Sequence, residues 1–89
     1  MVGAIGSQMR RLYAAKVLQN VDELGRVCGL APYPAGLTMT QARRFSTRFC
    51  QKAVLLCRDT DYKLKSSYDT EERLLEMLLL QLAEEARHD

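Results

Sequence analysis

The side chains best spaced for chemistry in this sequence are three cations that recur every four residues. Arg44, Arg48 and Lys52 would share one face of a helix. A basic stripe of this kind can contact the phosphates of a nucleic-acid backbone. Ser46 is a good N-cap residue, so Arg44 would precede the helix that carries the other two cations. The spacing therefore indicates either phosphate contacts or an ordinary solvated helix face.

The other polar residues do not form a catalytic constellation. The one histidine, His88, is next to the last residue of the sequence, where chains fray. Asp59 and Asp61 would diverge around a helix, because side chains two residues apart do not face each other. The glycines are scattered, and none belongs to a GK[ST] phosphate loop. We therefore predict neither an enzyme activity nor a bound cofactor.

The cysteines, Cys28, Cys50 and Cys57, argue against a metal or disulfide site. Their number is odd, and they show no CxxC or Cys/His spacing. We expect small, buried, reduced side chains, as in a cytoplasmic protein. Residues 1–6 lack the features of a signal peptide. The apolar run 74–82 is far shorter than the roughly 20 residues that cross a bilayer, so no membrane contact is predicted.

Composition predicts one small globular domain over residues 1–89. The sequence has 89 residues, of which 47% are hydrophobic and 27% are charged, with a net charge of +2. That small net charge conceals an asymmetry. Residues 24–58 carry six basic and no acidic side chains, whereas residues 59–89 carry nine acidic and four basic ones. The central basic block can meet phosphates or an acidic protein surface.

Hydrophobic periodicity predicts an all-α fold of five helices and no strand. The first helix is predicted to begin near Ile5, after helix-weakening glycines. The second is predicted to span Val21 to Cys28, with Asn20 as its N-cap and Gly29 closing it in a left-handed conformation. The inward-facing residues of these two helices are predicted to be Ile5, Met9, Leu12, Tyr13, Val17, Leu24, Val27 and Cys28.

Two prolines mark the clearest loop, over residues 30–34, because each disfavours helix at the residue before it. The third helix is predicted to begin at Pro34, or only at Thr38, and to end near residues 44–45. The fourth helix is predicted to run from Thr47 to about Lys65, with Ser46 as its N-cap.

The fifth helix is the most apolar segment of the sequence. Asp69 is its predicted N-cap, with Glu72 completing a capping box, and the helix should form a long hairpin with the fourth. Its apolar residues cover most of its circumference, which is typical of a helix in a filled core or at an interface. A chain this short has few helices to cover them, which favours protein association. The candidate interface comprises Met77, Leu78, Leu80, Gln81, Val54 and Leu55.

Several motifs, in order along the chain, resemble one family. They are Ile5-x-x-Gln8-Met-Arg10-Arg-Leu-Tyr-x-x-Lys16, Leu30-Ala-Pro-Tyr33, Gln41-Ala-Arg-Arg-Phe-Ser46, Asp61-Tyr-Lys-Leu-Lys65-Ser and the Leu-rich segment 71–82. Together they resemble the C-terminal domain of the delta subunit of bacterial DNA polymerase III. The residues that carry the resemblance as a structural signature are Gln8, Arg10, Tyr13, Arg44, Phe45, Ser46, Asp61 and Lys65.

The resemblance implies a role in DNA replication. Delta belongs to the clamp loader, which places the sliding clamp on primed DNA, and its C-terminal domain is a helical collar module. Its implied partners are the delta-prime and gamma/tau subunits, with DNA contacted at most indirectly or weakly. The two preceding ATPase-like domains of a full delta are expected to be absent here. The alternative is a stand-alone helical DNA-binding domain that uses the basic segment 43–58.

Overall fold

The computed structural model describes residues 2–66 and 69–89 and confirms the all-α prediction. Five helices follow one another: α1 (Val2–Leu18), α2 (Val21–Cys28), α3 (Pro32–Ala42), α4 (Thr47–Lys65) and α5 (Glu71–Arg87). The described residues contain no strand.

Side-chain caps begin α2 and α4, and a glycine ends α2. The Asn20 side chain accepts a hydrogen bond from the Glu23 amide at 3.0 Å, and Ser46 Oγ accepts one from the Phe49 amide at 3.0 Å. Gly29 closes α2 with a φ of 67°, the left-handed conformation that favours glycine. The predicted bounds of both helices are confirmed.

The starts of α1 and α3 differ from the predictions. α1 begins at Val2 rather than Ile5, and its Gly6 packs closely on α4, where an added Cβ would lie 3.7 Å from the Cys57 Cβ. This packing offsets the low helix propensity of glycine. α3 begins at Pro32, because a proline in the first turn has no amide that the helix needs.

The N-cap of α5 is Thr70 rather than the predicted Asp69. Thr70 Oγ1 accepts a hydrogen bond from the Arg73 amide at 3.3 Å, while the Asp69 carboxylate accepts one from the Thr70 amide at 2.7 Å. Glu72 is therefore not in the capping-box position. The predicted break between the last two helices includes Ser67 and Tyr68, which lie outside the described residues.

The helices form a flat body of 39 × 28 × 16 Å. α4 packs on both α1 and α5, and α1 also packs on α2 and α3, which contact each other. Within the described residues, α4 is the helix on which α5 packs extensively. α5 is thus an edge helix with a long side left open.

The core lies along the α1–α4 contact and extends to α2, α3 and α5. Its fully buried members include Leu24, Cys50, Ala53 and Leu78. Burial raises the pKa of the Cys50 thiol. The prediction of inward-facing residues was wrong for two valines, because Val17 and Val27 are 58% and 63% exposed. Neither valine is among the partly buried hydrophobic residues that pack against the core.

Candidate subunit interface

The inner face of α5 consists of three leucines that the structure buries. Leu74, Leu78 and Leu82 recur every four residues and are 2%, 0% and 8% exposed. Such spacing places them on the side of α5 that packs on α4. The assignment of Leu78 to an exposed interface was therefore wrong: a helix that is apolar all round does not reveal which stripe faces its neighbour.

The opposite side of α5 is open. Leu79 and Leu80 are 50% and 71% exposed, and Ala83 is also exposed. Helical spacing brings these three residues onto the same side as Glu72 and Glu76. Neither glutamate has an ion-pair partner among the described residues. We call these five residues the outer α5 face; it is apolar in the middle and acidic toward the N-terminus.

Other members of the predicted interface lie beside this face or on α4. Met77 is 43% exposed on α5, and Gln81 is exposed as well. On α4, Leu55 is 51% exposed and Val54 is half-buried. Tyr62, seven residues after Leu55, is 71% exposed and was missed, although the two-turn spacing puts both on one helix face.

The predicted basic stripe is interrupted in the structure. Arg44 lies in the turn before α4, Arg48 lies on α4 at 3.8 Å from Glu85 of α5, and Lys52 is exposed one turn further on. The Arg48–Glu85 pair lowers the net positive charge of the stripe. Lys52 and Arg44 are exposed, and neither forms an ion pair with another described residue.

Asp89 contacts Ser46, the N-cap residue of α4. The two residues are 43 positions apart in the sequence, so no local pattern predicts this contact. The Asp89 carboxylate accepts hydrogen bonds from the Ser46 amide at 2.8 Å and from the Ser46 hydroxyl. These bonds, the hydroxyl bond above all, hold the pKa of Asp89 below its ordinary value. Phe45 precedes the cap and Phe49 follows it, and their rings stack with centroids 4.7 Å apart. Together these contacts fix the junction between α3 and α4 against the end of α5.

Asp89→Asn is expected to lower the thermal midpoint near neutral pH and to have little effect under strongly acidic conditions. A carboxylate whose folded-state pKa is depressed stabilises the fold above its unfolded-state pKa, and that contribution is lost as the pH falls through the folded-state pKa. Thermal melts of both proteins at about pH 7 and about pH 2 measure the change.

The matched control is Glu76→Gln, because Glu76 is exposed and has no ion-pair partner among the described residues. If Asp89→Asn lowers the midpoint equally at both pH values, the Ser46–Asp89 contact does not contribute through its charge.

Most of the remaining signature residues connect or support helices. The Gln8 amide donates a hydrogen bond to the Gln41 side-chain oxygen at 3.0 Å, which joins α1 to α3. Tyr13 packs half-buried against the core. Arg10 donates to Ser7 Oγ at 3.1 Å. The predicted Asp61–Lys65 pair is present at 3.0 Å, with the Lys65 side chain 76% exposed, so its contribution is small.

Chemical sites of other kinds are not evident in the part of the chain that the structure describes. No cluster of three or more His, Cys, Asp or Glu side chains there could hold a metal ion. None of the described helices combines the length and apolarity needed to span a bilayer.

Comparison with known proteins identifies the family of this domain. The family model for the C-terminal domain of the DNA polymerase III delta subunit matches residues 1–82, which include α1 to α4 and most of α5. No curated protein and no solved structure matches the chain. Domains of this family are components of the polymerase III clamp loader in DNA replication and are not themselves catalytic. The chain therefore belongs to the family of C-terminal domains of the DNA polymerase III delta subunit.

Proposed function

We propose that this domain is an assembly module that binds neighbouring clamp-loader subunits, delta-prime and gamma/tau, in the cytoplasm. The observation that carries the proposal is the exposure of Leu80, which is 71% accessible on a helix that packs extensively on α4 alone. An exposed apolar patch of this kind usually marks a partner surface. The adjoining Met77 and Gln81 extend the surface along one flank of α5.

Burial of this surface by a neighbour would be favourable. A leucine that passes from exposed to buried contributes about 1.5–3 kcal/mol. Leu79 and Leu80 are at least half open, so a helix laid along the outer α5 face would bury both. On α4, Leu55 and Tyr62 provide a second apolar strip for another contact.

The experiment mixes the domain with delta-prime and gamma/tau and follows the complex by size-exclusion chromatography. The wild-type domain is expected to co-elute, and Leu80→Asp is expected to stay folded by circular dichroism while losing co-elution. Val27→Asp is the matched control, because Val27 is 63% exposed on α2, away from α5. Absence of co-elution by a folded wild-type domain would overturn the proposal.

A second candidate function is direct DNA binding through segment 43–58. It is supported by Arg43, Arg44 and Lys52, which are exposed and have no ion-pair partner among the described residues. Such binding should weaken steeply with salt, since phosphate contacts release counterions. Fluorescence anisotropy with a labelled duplex at low and high salt tests it, and Arg44→Glu should reduce the affinity. No binding at low salt would remove this candidate.

A further inference from the structure

We infer that two copies of this domain pair through their outer α5 faces as antiparallel helices. The inference concerns self-association of the chain alone, and it uses the same outer α5 face as the clamp-loader proposal. It rests on three features of α5: the spacing of its open face, the position of its charges and its place at the edge of the fold.

The spacing of the outer α5 face matches the seam of a two-helix contact. Glu72, Glu76, Leu79 and Ala83 follow at intervals of four, three and four residues, the alternation that keeps one stripe of a helix facing a partner helix. Of these four residues, Leu79 and Ala83 are the apolar ones that such a seam favours, and the two glutamates make its N-terminal half acidic. α5 spans Glu71–Arg87, so its midpoint is Leu79. The apolar pair Leu79–Leu80 therefore lies at the centre of the helix. A two-fold axis there would pack this pair against the same pair of the second copy.

The charges determine the direction of pairing. In an antiparallel pair, the two-fold axis would pass between Leu79 and Leu80. Arg87 of each copy would then lie beside Glu72 of the other copy, so the contact would occur twice. Glu76 would then lie opposite an alanine, the Ala83 of the second copy. Arg87 is available, because its side chain is 74% exposed and its contact with Glu84 is a long 3.6 Å pair. A parallel pairing would instead set Glu72 and Glu76 against their own copies, which is unfavourable.

The fold leaves room for such a partner. Among the described residues α5 packs extensively on α4 alone, so its outer face is open to a second copy. The contact is confined to one helix of 17 residues, which is short for a stable interface. A weak and reversible dimer is therefore the expected state.

Analytical ultracentrifugation of the isolated chain, at concentrations from about 10 µM to about 1 mM, tests the pairing. The wild type is expected to shift from monomer to dimer, and Leu80→Asp is expected to remain monomeric. Glu72→Arg and Arg87→Glu should each weaken the dimer about tenfold, because the two-fold axis repeats each lost contact. The double variant Glu72→Arg/Arg87→Glu should regain the wild-type affinity with the charges exchanged.

Arg44→Glu is the control, since Arg44 lies in the α3–α4 turn and outside the proposed contact. Circular dichroism verifies that each variant folds. A wild type that stays monomeric throughout, or a double variant as weak as the single ones, overturns the pairing. Weakening by Arg44→Glu also overturns it, because a head-to-tail contact would then be operating. Both proposals use the outer α5 face, but different measurements test them: self-association of the isolated chain here, and co-elution with delta-prime and gamma/tau above. A wild type that stays monomeric and still co-elutes overturns the pairing alone.

Discussion

Leu78→Asp is expected to unfold the domain. Leu78 is 0% exposed at the centre of the α4–α5 contact. A carboxylate there would be buried without a partner, at a cost of several kcal/mol or about half of the 5–15 kcal/mol that stabilises a typical domain. Every buried side-chain polar atom among the described residues has a hydrogen-bond partner, so an aspartate would be the exception. Far-UV circular dichroism at 25 °C, with urea titration of any folded fraction, measures the loss.

Leu80→Asp is the control for this prediction, since it introduces the same charge two residues away on the open side of α5. It should leave the free energy of unfolding within about 0.5 kcal/mol of wild type, as exposed substitutions usually do. A folded and stable Leu78→Asp protein would show that α5 packs on α4 through another face.

Gly25→Ala is expected to destabilise the domain by about 1–3 kcal/mol, although alanine is the better helix former. A Cβ at this position would lie 2.8 Å from the backbone oxygen of Leu30. That backbone cannot move freely, because the Leu30 amide donates to the Gly25 carbonyl at 2.8 Å and leads directly into α3. The substitution therefore separates α2 from α3. Chemical denaturation followed by circular dichroism measures the change.

Gly36→Ala is the matched control and should have the opposite sign. Gly36 lies inside α3, and a Cβ there would meet nothing within 4 Å. Alanine should stabilise this helix by about 0.5–1 kcal/mol. Equal effects of the two substitutions would contradict the close contact at Gly25.

Local chemistry made part of this fold predictable. Asn20 and Ser46 are caps whose partners lie three residues away, so the bounds of α2 and α4 follow from short segments. The start of α1 was not predictable in the same way, because the packing of Gly6 on Cys57 of α4 is not visible in the local sequence. Helix propensity is a local property, whereas the packing that offsets it at Gly6 comes from Cys57, 51 residues further along the chain.

The exposure of apolar surface on α5 was predictable in outline, but the exposed residues were not predictable one by one. Surplus apolar surface on α5 is visible in the sequence, and Leu80 and Met77 are indeed exposed. Nothing in the pattern distinguishes Leu78 from Leu80, because both lie within an almost continuous apolar run and only the position of α4 decides. The contact of Asp89 with Ser46 likewise depends on how the hairpin closes.

The edge position of α5 also has a consequence for amide hydrogen exchange. Its three inner leucines hold it mainly to α4, whereas α1 packs against α2, α3 and α4. A segment with fewer buried contacts opens at a lower free energy than the whole domain. The amides of α5 should therefore exchange by detachment of this helix while α1 remains protected. A bound neighbour would slow that exchange, which gives a local readout of when the helix is engaged.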